Sequence, residues 1–234
     1  MTEGPGVAGR EARPDQAPWA MQIVLRLERK DVPTRTQLLE AAAAAVVTLI
    51  ADARSRPGGP WEASVQRWVN GRIRKIVRRA RGAKWDGTAE LDQVEVDRGG
   101  AQVRAFLPGQ MDAVPDPLAK LQLTGSEPPE LGEPAILDPA GVTILVSPEV
   151  AMSIGKTAAQ CGHAAQLAWR AMTPSRRADW AEAGFPVRVE HPDRARWAEL
   201  PATVTDAGFT EIAPGTVTTL ATWEGHDQFD QQTY

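Results

Sequence analysis

Residues 142–147, Val-Thr-Ile-Leu-Val-Ser, form a β-branched and aliphatic run, and an alanine-rich segment follows them. Such a run reads as a buried strand. Ser153 is a good N-cap type, and Thr173-Pro174 ends what it opens, because proline cannot continue a helix. The order therefore predicts a strand over 142–147 and a helix from Ile154 to Met172. At about 100° per residue, Lys156, Gln160 and His163 fall on one stripe of that helix. Ala158, Gly162, Ala165 and Ala168 form another stripe, small enough to admit a close neighbour. Lys156 stands in the first turn, where its charge adds to the positive end of the helix, a placement that suits anion binding better than helix stability.

The same order of elements stands nearer the N-terminus. Gln22 to Leu27 (QIVLRL) is a strand-like run, and Arg35 to Ile50 is a second alanine-rich helix. Gln22 falls on Val142 and Glu40 on Gln160 in one register without a gap. Trp68 to Val77 then answers Trp180 to Val189, Lys84-Trp85 answers Arg196-Trp197, and Ala105 to Gly109 answers Glu211 to Gly215. This order suggests an internal duplication. Alternating strands and helices predict an α/β layered fold, each half a small sheet covered by helices. The organisation expected is loose residues 1–17, a first half over 18–123, a proline-rich acidic linker over 124–140, a second half over 141–224, and a polar tail over 225–234.

A second chemistry-bearing segment is Asp206-Ala207-Gly208-Phe209-Thr210-Glu211-Ile212-Ala213-Pro214-Gly215-Thr216. Asp206-Ala207-Gly208 and Pro214-Gly215 read as turns, followed by a strand over Thr216 to Thr222. Period-2 alternation would put Thr216, Thr218 and Leu220 on one side of that strand, the two threonines facing a site shared with Asp206 and Thr210.

Charge is divided along the chain. Residues 1–120 hold 19 Lys and Arg against 15 Asp and Glu, and residues 121–234 hold 7 against 15. Between Glu62 and Asp86 lie Arg67, Arg72, Arg74, Lys75, Arg78, Arg79, Arg81 and Lys84 without an acidic residue, which reads either as a local footprint for phosphate or as a solvated face of a strand or helix. The single cysteine, Cys161, reads as a small packing residue, and no disulfide, structural metal or cofactor is expected. No apolar run reaches the roughly 18 to 20 residues of a membrane span, so a cytoplasmic protein is the expectation.

The segment Gly155-Lys156-Thr157-Ala158-Ala159-Gln160-Cys161-Gly162-His163-Ala164-Ala165 and the Asp206 loop together resemble the two signatures of the type 2 peptidyl-tRNA hydrolase family. The resemblance covers about residues 140–224. It implies a mixed sheet between helices, homodimeric relatives, and metal-free hydrolysis of the ester between a peptide and the terminal ribose of tRNA. It also implies that Lys156, Asp206 and Thr218 carry the catalysis with Thr210 beside them, and that Gly155, Gln160, His163 and Thr216 line the substrate. In the first half Thr36 matches Lys156 and Ala43 matches His163, while Gly100 falls near Asp206 and Arg104 near Thr210, so that half lacks the catalytic groups. The chain is then expected to be a monomer acting as a pseudo-dimer, with Arg74, Arg78 and Arg79 holding the backbone of a tRNA that carries a peptidyl or N-blocked aminoacyl group. Two other functions fit the same residues: a non-catalytic RNA-binding protein that keeps the fold, and an esterase or amidase acting on a small substrate.

Overall fold

A computed structural model describes residues 18–128, 130–200, 204–205 and 216–224. Its elements are β1 (Trp19–Arg26), α1 (Arg35–Ala51), α2 (Glu62–Val69), β2 (Arg74–Ala80), α3 (Ala83–Asp86), β3 (Gln93–Arg98), β4 (Ala101–Phe106), β5 (Gly109–Gln110), α4 (Asp116–Ala119), β6 (Val142–Val146), α5 (Ile154–Ala171), α6 (Pro174–Glu182), β7 (Val187–Glu190), α7 (Arg194–Ala198), β8 (Val204–Thr205) and β9 (Val217–Trp223). The two long helices start where their caps predict. The side chain of Thr34 accepts from the Gln37 amide and that of Ser153 accepts from the Lys156 amide, each relieving a first-turn donor.

Two mixed sheets result. The first runs β2-β1-β4-β3, with β5 beside β1, and the second runs β7-β6-β9-β8. In each, the strand before the long helix pairs parallel with the strand after it (β1 with β2, β6 with β7) and antiparallel with a later one (β4, β9). The mixed α/β expectation holds. Details also recur. Trp68 and Trp180 each donate their indole N–H to the carbonyl six residues on, Arg74 and Pro186. Trp85 packs with Val24 on the outer side of the first sheet as Trp197 packs with Leu145 on the second.

Four matches drawn from the sequence move. Cap against cap, Thr34 answers Ser153, so Gln37 rather than Thr36 stands at the Lys156 position, and Ala44 rather than Ala43 at that of His163. Ala105 faces Ile23 across β4 and β1 as Ala221 faces Ile144 across β9 and β6, so Ala105 answers Ala221 and not Glu211. Arg104 pairs with Val24 as Leu220 pairs with Leu145, so it falls on Leu220 in this register. Gly100 lies between β3 and β4, in a two-glycine turn with φ of 58° at Gly99 and 89° at Gly100, which glycine adopts without strain; Asp206, its match from the sequence, lies outside the described residues.

One core joins the halves. Helix α1 packs on β3 and β4 of its own sheet, on α5, and on β7 of the other sheet; α5 packs on β6 and β9, on α1, and on β2 of the other sheet. Their neighbours are reciprocal. Alanines 41–45 of α1 are buried on every face, as expected of a helix enclosed all round. The helices approach closely at Gly162, where a Cβ would lie 2.9 Å from Val46 Cγ2.

The 124–140 segment is not a free tether. The carbonyls of Glu130 and Leu131 accept from the amides of Arg35 and Thr36, closing off the first turn of α1, and Gln122 O accepts from Arg79 N. Glu127 reaches both long helices: its carboxylate takes Arg35 Nη1 and the Ile154 amide at 2.8 Å each, and Arg79 Nη2 at 2.9 Å.

Candidate active site

Of the motif residues, the described ones lie on α5, which follows β6, and on β9, which pairs with it. Strand β6 ends at Val146, the Ser147 amide donates to the Thr218 carbonyl, and the chain returns to open α5. In an open α/β sheet, this is the edge where ligands bind. Lys156 is the third residue of α5 and half-buried, with its amide held by Ser153 Oγ at 3.2 Å. Gln160 is buried, and its carbonyl accepts from Thr219 Oγ1 at 3.3 Å. His163 is half-buried one turn further, and its imidazolium is disfavoured by burial, by the Lys75 charge and by the Lys156 charge.

On β9 the strict alternation expected from the sequence fails. Val204 pairs with Thr219 and Thr205 with Val217, so the ladder passes over Thr218. This is a bulge. Val217 and Leu220 accordingly both pack with Leu145 and Trp197, whereas Thr219 turns to α5. Thr218 is fully buried, and its hydroxyl has no hydrogen-bond partner among the described residues. Six other buried side-chain atoms share this state among the described residues, so it does not by itself single out Thr218. Thr216 is half-buried at the start of the same strand. Asp206 and Thr210, with the rest of the loop from 206 to 215, lie outside the described residues, as do 1–17 and 225–234.

Gly155 and Gly162, both in the motif, differ in what they permit. A Cβ at Gly155 would meet Val77 Cβ at 3.8 Å and Leu123 O at 3.9 Å, ordinary contacts, whereas one at Gly162 would also press on Lys75 Cδ at 3.2 Å. Cys161 is fully buried, and burial pushes its thiol up to about 12, so it packs rather than reacts.

The basic run divides in a way its charges did not reveal. Arg78 is buried, with Nε on Gln22 Oε1 at 2.9 Å and Nη1 on Leu121 O at 3.2 Å; Arg79 is buried against Glu127 and the Ser126 carbonyl. Both spend donors on groups of this chain, and Arg79 also lines the cavity described next. Arg74 is half-buried, while Arg81 and Lys84 are exposed. With Arg29, the last two line a cavity of about 830 Å³ between the ends of β1 and β2 and residues 122–128.

Residues 141–233 match the family model described as "Peptidyl-tRNA hydrolase PTH2". The chain is also 32% identical over 125 residues to the bovine (Bos taurus) protein named "Peptidyl-tRNA hydrolase 2, mitochondrial", an alignment covering 46% of this chain and 70% of the relative. The chain belongs to the type 2 peptidyl-tRNA hydrolase family. No solved structure matches it. The family match begins at Gly141 and takes in α5 and β9, so Lys156, Gln160, His163 and Thr218 all lie inside it, while α1, β2 and the basic cavity lie outside. Sequence reasoning missed the inward-facing Thr219, the Glu127 clasp and the approach of Lys75 to His163, none of which leaves a local signal. Among the described residues, no helix is long and apolar enough to cross a membrane.

Proposed function

We propose that this chain hydrolyses the ester joining a peptide to the terminal ribose of tRNA. The observation that carries the reading is Lys156 in the first turn of α5, at the sheet edge where Thr218 buries a hydroxyl with no partner among the described residues. Water adds to the ester carbonyl, the resulting oxyanion is held by the Lys156 ammonium and the positive helix end, and collapse expels the ribose oxygen, which takes a proton. Asp206 serves as the base or orienting acceptor for the water, with the hydroxyls of Thr210 and Thr218 fixing its position. The scheme needs no metal. Purified protein is expected to release N-acetyl-amino acid from N-acetyl-aminoacyl-tRNA; activity on small acyl esters with none on that tRNA would favour the esterase reading, and no activity on either would favour a binding protein.

The same reading makes the chain a fused pseudo-dimer with one working site. Support comes from the matching strand orders and the reciprocal packing of α1 and α5. In the first half Gln37 replaces the lysine, two glycines replace the catalytic loop, and residues 130–131 cover the helix start. That half supplies charge instead. Arg29, Arg81 and Lys84 around the basic cavity hold tRNA phosphates, and neutralising all three is expected to raise KM for charged tRNA. The plot of log(1/KM) against log[salt] should flatten by about 0.7–0.9 for each phosphate that these side chains no longer neutralise. An unchanged slope would remove this assignment.

A further inference from the structure

Lys75 is on β2, in the basic run of the first half, yet its amine is not at the surface. The side chain is buried, crosses to α5 of the second half, and lies over the ring of Trp68 at 4.9 Å from the centroid. Nζ stands 2.6 Å from Gln166 Oε1, 3.1 Å from His163 Nδ1 and 3.4 Å from the Ile73 carbonyl. None of these three groups is a carboxylate. Burying a lysine amine without an opposing charge is unfavourable, and burial holds it well below the usual lysine range. Room for it comes from Gly162 of the motif helix, whose missing Cβ leaves the space beside Lys75 Cδ and Cε.

We propose that Lys75 is a positioning residue for the site of the second half: its amine holds the His163 ring in one orientation and, through its own protonation state, in one tautomer, two turns along α5 from Lys156. The hydrogen bond engages Nδ1 in either protonation state. An ammonium donates to Nδ1 and leaves Nε2 carrying hydrogen; a neutral amine can accept from Nδ1–H and leaves Nε2 as an acceptor. Either way Nε2, which has no partner among the described residues, is the nitrogen available to substrate. The hydrogen bond made by one ring nitrogen sets the role of the other. The first half, outside the family match, thereby contributes a side chain that completes the site inside it.

Two measurements on the full chain test this, and only the kinetic one rests on the hydrolase reading. The chain has three histidines, so imidazole 15N shifts can be assigned one by one. The wild type should show His163 in a single tautomer, and Lys75→Met should show both in exchange. Kinetically, Lys75→Met should lower kcat/KM for N-acetyl-aminoacyl-tRNA by about tenfold alone but by less than about twofold in a His163→Ala background, because residues acting through one another are not additive. If Met is not accommodated, Lys75→Gln, whose amide is one atom shorter and cannot span to Nδ1, is read in the same two ways. An unchanged His163 tautomer in the Lys75 variant, or a loss that persists undiminished in the His163→Ala background, overturns the proposal. A wild type inactive on charged tRNA sinks the hydrolase reading instead and leaves the tautomer measurement to decide this one.

Discussion

Lys156→Ala is expected to lower kcat for N-acetyl-aminoacyl-tRNA by about 10²–10³-fold, the range seen when a single oxyanion donor is removed. KM should change little, because the ammonium is assigned to charge that develops after binding. The variant should keep its fold. Lys156 is half-buried, its backbone amide already has the Ser153 hydroxyl, and alanine is the best helix former. Removing a positive charge from the first turn also relieves an unfavourable interaction with the helix dipole. An independent readout accompanies the kinetics: since the Lys156 charge is among the causes that depress His163, the imidazole should titrate higher in the variant. Turnover within about threefold of wild type, with the protein folded, would take Lys156 out of the mechanism.

How much of the fold is legible in the chain alone depends on whether the deciding force is local. The two long helices are legible because Thr34 and Ser153 cap them and Thr173-Pro174 closes the second, all interactions within a few residues. Strands β1 and β6 are legible from their aliphatic runs. Strand β2 is not, since its sequence RKIVRRA reads as a solvated basic face while its side chains are largely buried. What reverses the reading is tertiary. Lys75 finds His163 and Gln166, Arg78 finds Gln22 and the Leu121 carbonyl, and Arg79 finds Glu127. Long aliphatic stems can be buried when the polar head has a partner, and nothing in the charge pattern announces that partner.

The site divides along the same line. The Lys156, Gln160 and His163 stripe follows from helical period and survives as one face of α5. The assignment of faces along β9 fails at Thr218, because a bulge depends on the pairing strand and not on the sequence of the strand that carries it. The acidic segment after Thr124 reads as a spacer on composition, yet Glu127 binds the first residues of both α1 and α5 and thereby fixes the start of the motif helix. Proline and acidic charge argue against regular structure there, but they do not argue against fixed contacts.

Glu40 carries the second large expectation, on stability rather than catalysis. It is a buried carboxylate on α1 whose Oε1 accepts from the amide of Val189 on β7 at 3.0 Å and from that of Ala135 at 2.8 Å. One oxygen thus joins the first half, the connecting segment and the edge of the second sheet. Glu40→Ala strips both amides of their acceptor and should destabilise the protein by about 2–4 kcal/mol. Glu40→Gln keeps an oxygen that can accept both and removes a buried charge, so it should cost less than about 1 kcal/mol. The pH dependence follows from burial, which raises the Glu40 carboxyl above its ordinary value of 4.5 despite the two amides and the charges of Arg188 and Arg98. A folded-state pKa above the unfolded one means that the folded form binds the proton more tightly. The contribution of this group is therefore present below the unfolded pKa and is lost as pH rises through the folded one. Denaturant unfolding at a series of pH values should show that decline in the wild type and a flatter profile in Glu40→Gln. Because the halves share one core, each profile should also be a single transition. Equal stability of the Ala and Gln variants would show that the two amides do not depend on this oxygen, and separate transitions for the halves would show that α1 and α5 do not bind them into one unit.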